Sequence, residues 1–160
     1  MAWVYYFARQ YDQAIDQFAK AVELDPNFWP AHHWLGWAYE AQGRHEEAIA
    51  EAQKAVAYSA GAPYAVSALG YAYAVAGRRA EAQKALNHLK ELSEHGYVSA
   101  YYSAEIYVDL GEKDQAIQWL EKAYEDPYGD LVWLKVSPRM DRLRSDPRFQ
   151  DLLRRMNFPP

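Results

Sequence analysis

Tyr5, Tyr39, Tyr73 and Tyr107 stand 34 residues apart, and so do Ala14, Ala48, Ala82 and Ala116. Gly43, Gly77 and Gly111 keep the same step, as do Leu35 with Leu69 and Gly36 with Gly70. One period shared by such different residue types marks a stacked repeat, in which each unit buries its apolar face only against its neighbours.

Each period reads as two helices. In the second unit Pro30 to Gln42 form one helix, stopped at Gly43, the residue best suited to a left-handed C-terminal conformation. Glu46 to Tyr58 form the next, broken by Ala60-Gly61-Ala62-Pro63, with Pro63 fitting the first turn of the following helix. Gly77 and Gly111 repeat the stop, and Asp25-Pro26 and Asp126-Pro127 punctuate the first and fourth units. Gly36 and Gly70 fall mid-helix, where glycine costs about 1 kcal/mol against alanine. The expected compensation is close approach of the second helix, with Ala48 or Ala82 against them. The organisation expected is a truncated first unit over residues 1–28, units at 29–62, 63–96 and 97–130, and C-terminal capping helices over 131–160. Met1 falls inside what should be the first helix of its unit, so the chain reads as a piece of a longer protein.

The set Leu35-Gly36, Tyr39, Gly43, Ala48 and Ala55, largely repeated in later units, resembles the tetratricopeptide-repeat signature over about residues 1–128. The resemblance implies an all-α fold: a right-handed α-solenoid of antiparallel helix pairs that acts as a protein–protein interaction scaffold. Leu89 departs from it, standing where other units have Ala21, Ala55 and Ala123, and Ser103-Ala104 replaces Leu-Gly. A splayed third hairpin is expected, with a longer second helix from about Arg79 to Glu94. The runs Phe7-Ala8-Arg9-Gln10-Tyr11-Asp12-Gln13-Ala14-Ile15 and Leu143-Arg144-Ser145-Asp146-Pro147-Arg148-Phe149-Gln150-Asp151-Leu152-Leu153 resemble repeat regions of bacterial multidomain signalling proteins. In those proteins similar repeats follow a serine/threonine kinase, a nucleotide cyclase or a winged-helix regulator. This resemblance implies a regulatory role in the cytoplasm.

In such a stack the first helix of each pair lines the concave face, and helical spacing selects the residues that face the groove. They are Trp3, Tyr6 and Phe7 in the first unit and His33, Trp37, Glu40 and Ala41 in the second. The third offers Tyr64, Ser67, Tyr71 and Ala74, and the fourth Val98, Tyr101, Glu105 and Asp109. The groove is aromatic with acidic punctuation, and its stripes lack the lysine and asparagine with which some tetratricopeptide domains hold a C-terminal carboxylate. It calls for a protein or peptide segment that is basic and apolar, stacking a cation on Trp37 or Tyr71 and pairing it with Glu105. Ordinary inter-repeat packing is the competing reading for these aromatics, and the stronger one for Trp34, Tyr39, Tyr73 and Tyr107.

Charge is divided unevenly. Residues 1–130 carry 10 basic and 19 acidic side chains, and residues 131–160 carry 7 basic and 3 acidic. An acidic body is a poor nucleic-acid partner, and the cations of the tail are spread over separate turns with aspartates between them. Residues 131–136 are expected to continue the stack as a short helix against the fourth unit. Ser137-Pro138 and Asp146-Pro147 each read as an N-cap followed by proline, and the last helix, about Pro147 to Met156, aligns Phe149, Leu152, Leu153 and Met156. No membrane-spanning run occurs, and the absence of cysteine removes disulfides and thiolate chemistry. Adjacent His32 and His33 point to different helix faces, unlike metal ligands spaced three or four apart. No nucleophile elbow or phosphate-binding glycine loop is present, and a groove open to water is a poor setting for an acid–base pair. No enzyme activity, cofactor or metal is expected. At the opposite end a helix starting near Ala2 is expected to leave Trp3, Tyr5 and Tyr6 uncovered, which makes self-association through that end the alternative to peptide binding.

Overall fold

A computed structural model describes residues 2–126 and 131–157. Helices follow in consecutive pairs: α1 (Trp3–Phe7) with α2 (Tyr11–Leu24), α3 (Trp29–Ala41) with α4 (His45–Tyr58), α5 (Pro63–Val75) with α6 (Arg79–Ser93), and α7 (Ala100–Asp109) with α8 (Lys113–Glu125). Two 3₁₀ turns, Leu131–Trp133 and Pro138–Leu143, lead to α9 (Pro147–Arg155). The fold is an all-α solenoid of antiparallel pairs, with no strand among the described residues. None of the described helices is long and apolar enough to cross a membrane. The expected unit edges at residues 1, 130 and 160, and the Pro127 half of the Asp126-Pro127 break, lie outside the described residues.

The periodic residues have distinct jobs. Gly43, Gly77 and Gly111 end α3, α5 and α7 with φ of +73°, +74° and +77°. The N–H groups of Gly43 and Arg44 return to the Glu40 and Tyr39 carbonyls, satisfying acceptors that the helix end leaves open. Arg9, at the same repeat position, adopts φ 60° without being glycine, a conformation that costs about 1–2 kcal/mol in an L-residue.

Ala14, Ala48, Ala82 and Ala116 are all fully buried. A Cβ on Gly36 would sit 3.2 Å from the Ala48 carbonyl oxygen, so α4 does pack onto that glycine. The expectation that Ala82 plays this part for Gly70 is corrected: a Cβ there would meet Ile106 Cδ1 and lie 2.8 Å from Ala85 Cβ. One helical turn along α6 and an isoleucine from the next unit fill that space. Adjacent His32 and His33 do part company. His32 Nδ1 lies 2.5 Å from Glu51 Oε2 on α4 and its Nε2 lies 2.9 Å from the Pro26 carbonyl, whereas His33 enters the concave core.

Residues 131–143 do more than extend the stack, which corrects the expectation for this segment. Leu131, Leu134, Met140 and Leu143 are buried with Ala104, Val108 and Leu120 of the fourth unit, yet Trp133 reaches the first unit and stacks on Phe7 at 4.9 Å and 12°. The segment therefore crosses the concave face from one end to the other. Arg144 braces it, donating to the carbonyls of Lys135 at 2.8 Å and Ser137 at 3.1 Å. Asp146 then caps α9, accepting from the Arg148 N–H at 2.9 Å. Phe149 and Leu152 of α9 are buried against the same core, with Leu153 and Met156 partly so.

Candidate functional site in the concave face

Positions 37, 71 and 105 are equivalent in three successive units, each 34 residues from the next, and they carry Trp37, Tyr71 and Glu105. Helical repetition aims all three at one point, and Arg139 occupies it. Its guanidinium carbon lies 4.2 Å from the Trp37 ring centroid and 3.6 Å from that of Tyr71. Nη1 lies 2.9 Å from Glu105 Oε1, with both side chains 1% exposed. None of the guanidinium nitrogens makes an aligned hydrogen bond to the described residues. The arginine is therefore held by charge and by two π faces rather than by a bidentate fork.

Neighbouring residues finish the setting. Ser67 is buried and has its hydroxyl 3.2 Å from Glu105 Oε2 and 3.1 Å from the Tyr102 carbonyl. Glu40 Oε1 lies 2.5 Å from His45 Nδ1, and Asp109 Oδ1 lies 3.0 Å from Arg142 Nη1. Burial raises the pKa of Glu105 and Glu40, opposed by Arg139 for the first and by His45 for the second. Burial likewise lifts Asp109 to about 6 against the pull of Arg142 and Arg139. For Arg139 burial works against the charge, and Glu105 with the surrounding tyrosines outweighs it, so its pKa rises. His33 is driven well below its ordinary value by burial and then by Arg139, so it sits neutral between Tyr64 and Trp37.

The structure brings most of the proposed groove residues together, but it does not leave them open. Tyr6, His33, Trp37, Glu40, Ser67, Tyr71, Tyr101 and Glu105 are all buried, and Tyr64, Phe7 and Asp109 are partly so. Segment 131–143 covers the face that the spacing argument treated as exposed. Trp3 stays 41% exposed beside Trp133, but Tyr6, expected to be uncovered, is 1% exposed among Phe7, Tyr11, Trp34 and Trp37. Ala41 is exposed at the rim. The premise of a groove open to water is corrected as well, although each buried carboxylate already has a basic partner. No cluster of three or more His, Asp or Glu side chains placed to share a metal ion occurs among the described residues.

The residues missed from the sequence are those of the covering segment: Trp133, Ser137, Arg139 and Arg142. Their signal was present in two separate observations. The groove called for a basic and apolar segment, and the net-basic stretch of the chain is 131–160. Beside Arg139 lies a cavity of about 310 Å³, lined by Phe7, Trp34, Trp37, Tyr64, Tyr101, Tyr102, Trp133 and Ser137.

Profiles described as tetratricopeptide repeat match residues 1–66, 63–87 and 99–125. No curated protein matches the chain significantly. Together the period, the paired helices, the left-handed glycine stops and these matches reach one conclusion: the chain belongs to the tetratricopeptide-repeat family.

Proposed function

We propose that this chain is a protein-interaction module whose concave face reads a basic–apolar peptide segment, using Trp37, Tyr71 and Glu105 as the socket for its cation. Tetratricopeptide repeats generally mediate protein–protein interaction. The observation that carries the peptide reading is Arg139: a short 3₁₀ turn that sets this arginine beside the apolar Met140 and Leu143 already lies in the socket. The acidic balance of residues 1–130 adds a long-range attraction for such a segment. A partner would compete with residues 131–143 for the same contacts. The resemblance of the two runs given above to bacterial signalling proteins supports a setting in which the partner segment belongs to a larger regulatory assembly.

The test is a labelled peptide spanning residues 131–146, titrated into a Trp133→Ala/Arg139→Ala chain whose fold is verified by circular dichroism. Saturable binding is expected, lost when the peptide arginine equivalent to Arg139 is replaced by alanine. A folded variant that binds neither this peptide nor any sequence from a displayed random library would refute the reading.

A second reading rests on the exposed Trp3, Val4 and Tyr5 of α1, which are 41%, 47% and 38% accessible. Self-association through this end predicts a mass that rises with concentration in light scattering and returns to that of one chain in Trp3→Asp/Tyr5→Asp.

A further inference from the structure

The cavity beside Arg139 is built by two parts of the chain that only meet across the concave face. Repeats one to three and the start of the fourth supply Phe7, Trp34, Trp37, Tyr64 and Tyr102, and the covering segment supplies Trp133. The rings do not stack as a slab. Phe7 and Trp34 meet at 75° with centroids 6.0 Å apart, Trp34 and Trp37 at 70° and 4.8 Å, Trp37 and Tyr64 at 60° and 6.1 Å, and Tyr64 and Tyr102 at 54° and 5.8 Å. Each ring is turned steeply from the last, and Trp133 lies over the face of Phe7, stacked at 12°. The result is an aromatic box of about 310 Å³, at the small end of ligand pockets.

We propose that this box binds a trimethylammonium group, and that its occupant holds segment 131–143 against the repeats. The chemistry of the walls selects the ligand. Aromatic rings set at steep angles to one another line the box on several sides, a lining that suits a cation without a preferred axis. Among the described residues no charged side chain lines the box, so a primary ammonium or guanidinium would leave most of its hydrogen bonds to water behind. A quaternary ammonium has no N–H to satisfy and sheds its hydration more easily. Arg139 and Arg142, the arginines of the covering segment on this face, are each paired with a carboxylate, Glu105 and Asp109, which offsets their repulsion of a cation. Trp37 lines the box and its Nε1–H is buried without a hydrogen-bond partner among the described residues. An oxygen two or three bonds from the ammonium, as in choline or glycine betaine, is the natural acceptor for it. Because Trp133 belongs to the covering segment, every bound ligand stabilises the covered state by its contact with that ring. This inference does not rest on the peptide reading, since it needs only the arrangement in which residues 131–143 lie across the face.

The experiment is a titration of the full chain with choline and with its uncharged isostere 3,3-dimethylbutan-1-ol. It is followed by tryptophan fluorescence and by the proton resonance of the ligand methyl groups. Choline is expected to bind with a Kd of about 0.1–5 mM and about 5-fold or more tighter than the isostere, with its methyl line shifted upfield by the ring currents. Trp133→Leu should abolish that shift while leaving the circular dichroism spectrum and the melting transition of the repeats in place. A trimethyllysine peptide run alongside distinguishes the sources. Tighter binding than choline assigns the box to a modified protein side chain, and weaker binding assigns it to a small solute. Equal affinity for choline and its isostere, absence of any methyl shift, or a shift that survives Trp133→Leu would overturn the proposal.

Discussion

Two rows of residues run through the molecule at the same spacing of 34, and they obey opposite rules. The row Ala14, Ala48, Ala82, Ala116 on the outer helices is identical in every unit and completely buried. The row Trp37, Tyr71, Glu105 on the inner helices of the last three units carries a different side chain in each, yet all three touch one arginine. In the alanine row each residue solves a local problem, a fully buried place on the second helix of its pair, and the same small side chain serves each time. In the concave row the residues solve one shared problem, the placing of a single guanidinium, and its three sides need different chemistry. Identity across the repeats reports helix packing here, and divergence at positions 37, 71 and 105 reports the placing of one buried cation.

The largest effect should come from breaking the concave row. Glu105→Ala leaves Arg139 buried without its counter-ion, and the loss expected is about 3–5 kcal/mol, read from chemical denaturation. Replacing Arg139 with methionine in the same chain should recover much of that loss, because the buried charge is then gone from both sides. Failure to recover would mean that Glu105 matters for packing rather than for charge.

Breaking the alanine row should cost somewhat less and should be indifferent to the unit chosen. Ala48→Leu and Ala82→Leu each force a larger side chain into a filled seam, for about 1–3 kcal/mol apiece. A tenfold disparity between their effects on the folding constant would show that the units are not equivalent and would weaken the contrast.

Acid titration separates neighbours within the concave face. His33 has a depressed pKa in the folded chain, so its contribution is intact above the unfolded value near 6.5 and is lost as pH falls below it, at up to about 1.4 kcal/mol per pH unit. Asp109, raised to about 6, acts in the other sense: the folded chain takes up its proton first, so stability from this group rises as pH falls from 6 towards the unfolded value near 4. The stability difference between His33→Phe and the parent should therefore grow on acidification below pH 6.5. That between Asp109→Asn and the parent should change in the opposite direction between pH 6 and 4. Parallel curves for both variants would remove burial as the cause.

The smallest effects sharpen the glycine positions. Gly70→Ala should destabilise, since Ala85 cannot rotate away from the new methyl, whereas Gly36→Ala should fall within about 1 kcal/mol of the parent because helix propensity offsets a tighter contact. Arg9→Gly removes a left-handed arginine but also its 2.9 Å ion pair with Asp141 of the covering segment. The two changes oppose each other, so a net effect under about 1 kcal/mol is expected in thermal melts.

Helix ends were legible from the sequence because glycine and proline act locally: Gly43, Gly77, Gly111 and Pro63 stand where the spacing put them. The stripe of inward-facing residues was legible too, since 3.6 residues per turn decides which side chains share a face. Ala85 and Ile106 at Gly70 were not, because that contact joins three helices from two units and depends on how the hairpin sits on its neighbour. Tyr6 was misjudged for a related reason. Its burial comes from Trp34 and Trp37 of the next unit, whereas the open end of the stack bears only on what precedes it.

The sequence by itself determined the repeat, its period, the helix pairs and the aromatic–acidic chemistry of the concave face, because each follows from local conformational preference or from helical geometry. Only the tertiary structure decided that the face is covered, that residues 131–143 cover it, and that Arg139 fills the socket formed by Trp37, Tyr71 and Glu105. The socket contacts of Arg139 join residues from 34 to 102 positions apart, and no periodicity in the repeats specifies the path of a segment that does not itself repeat.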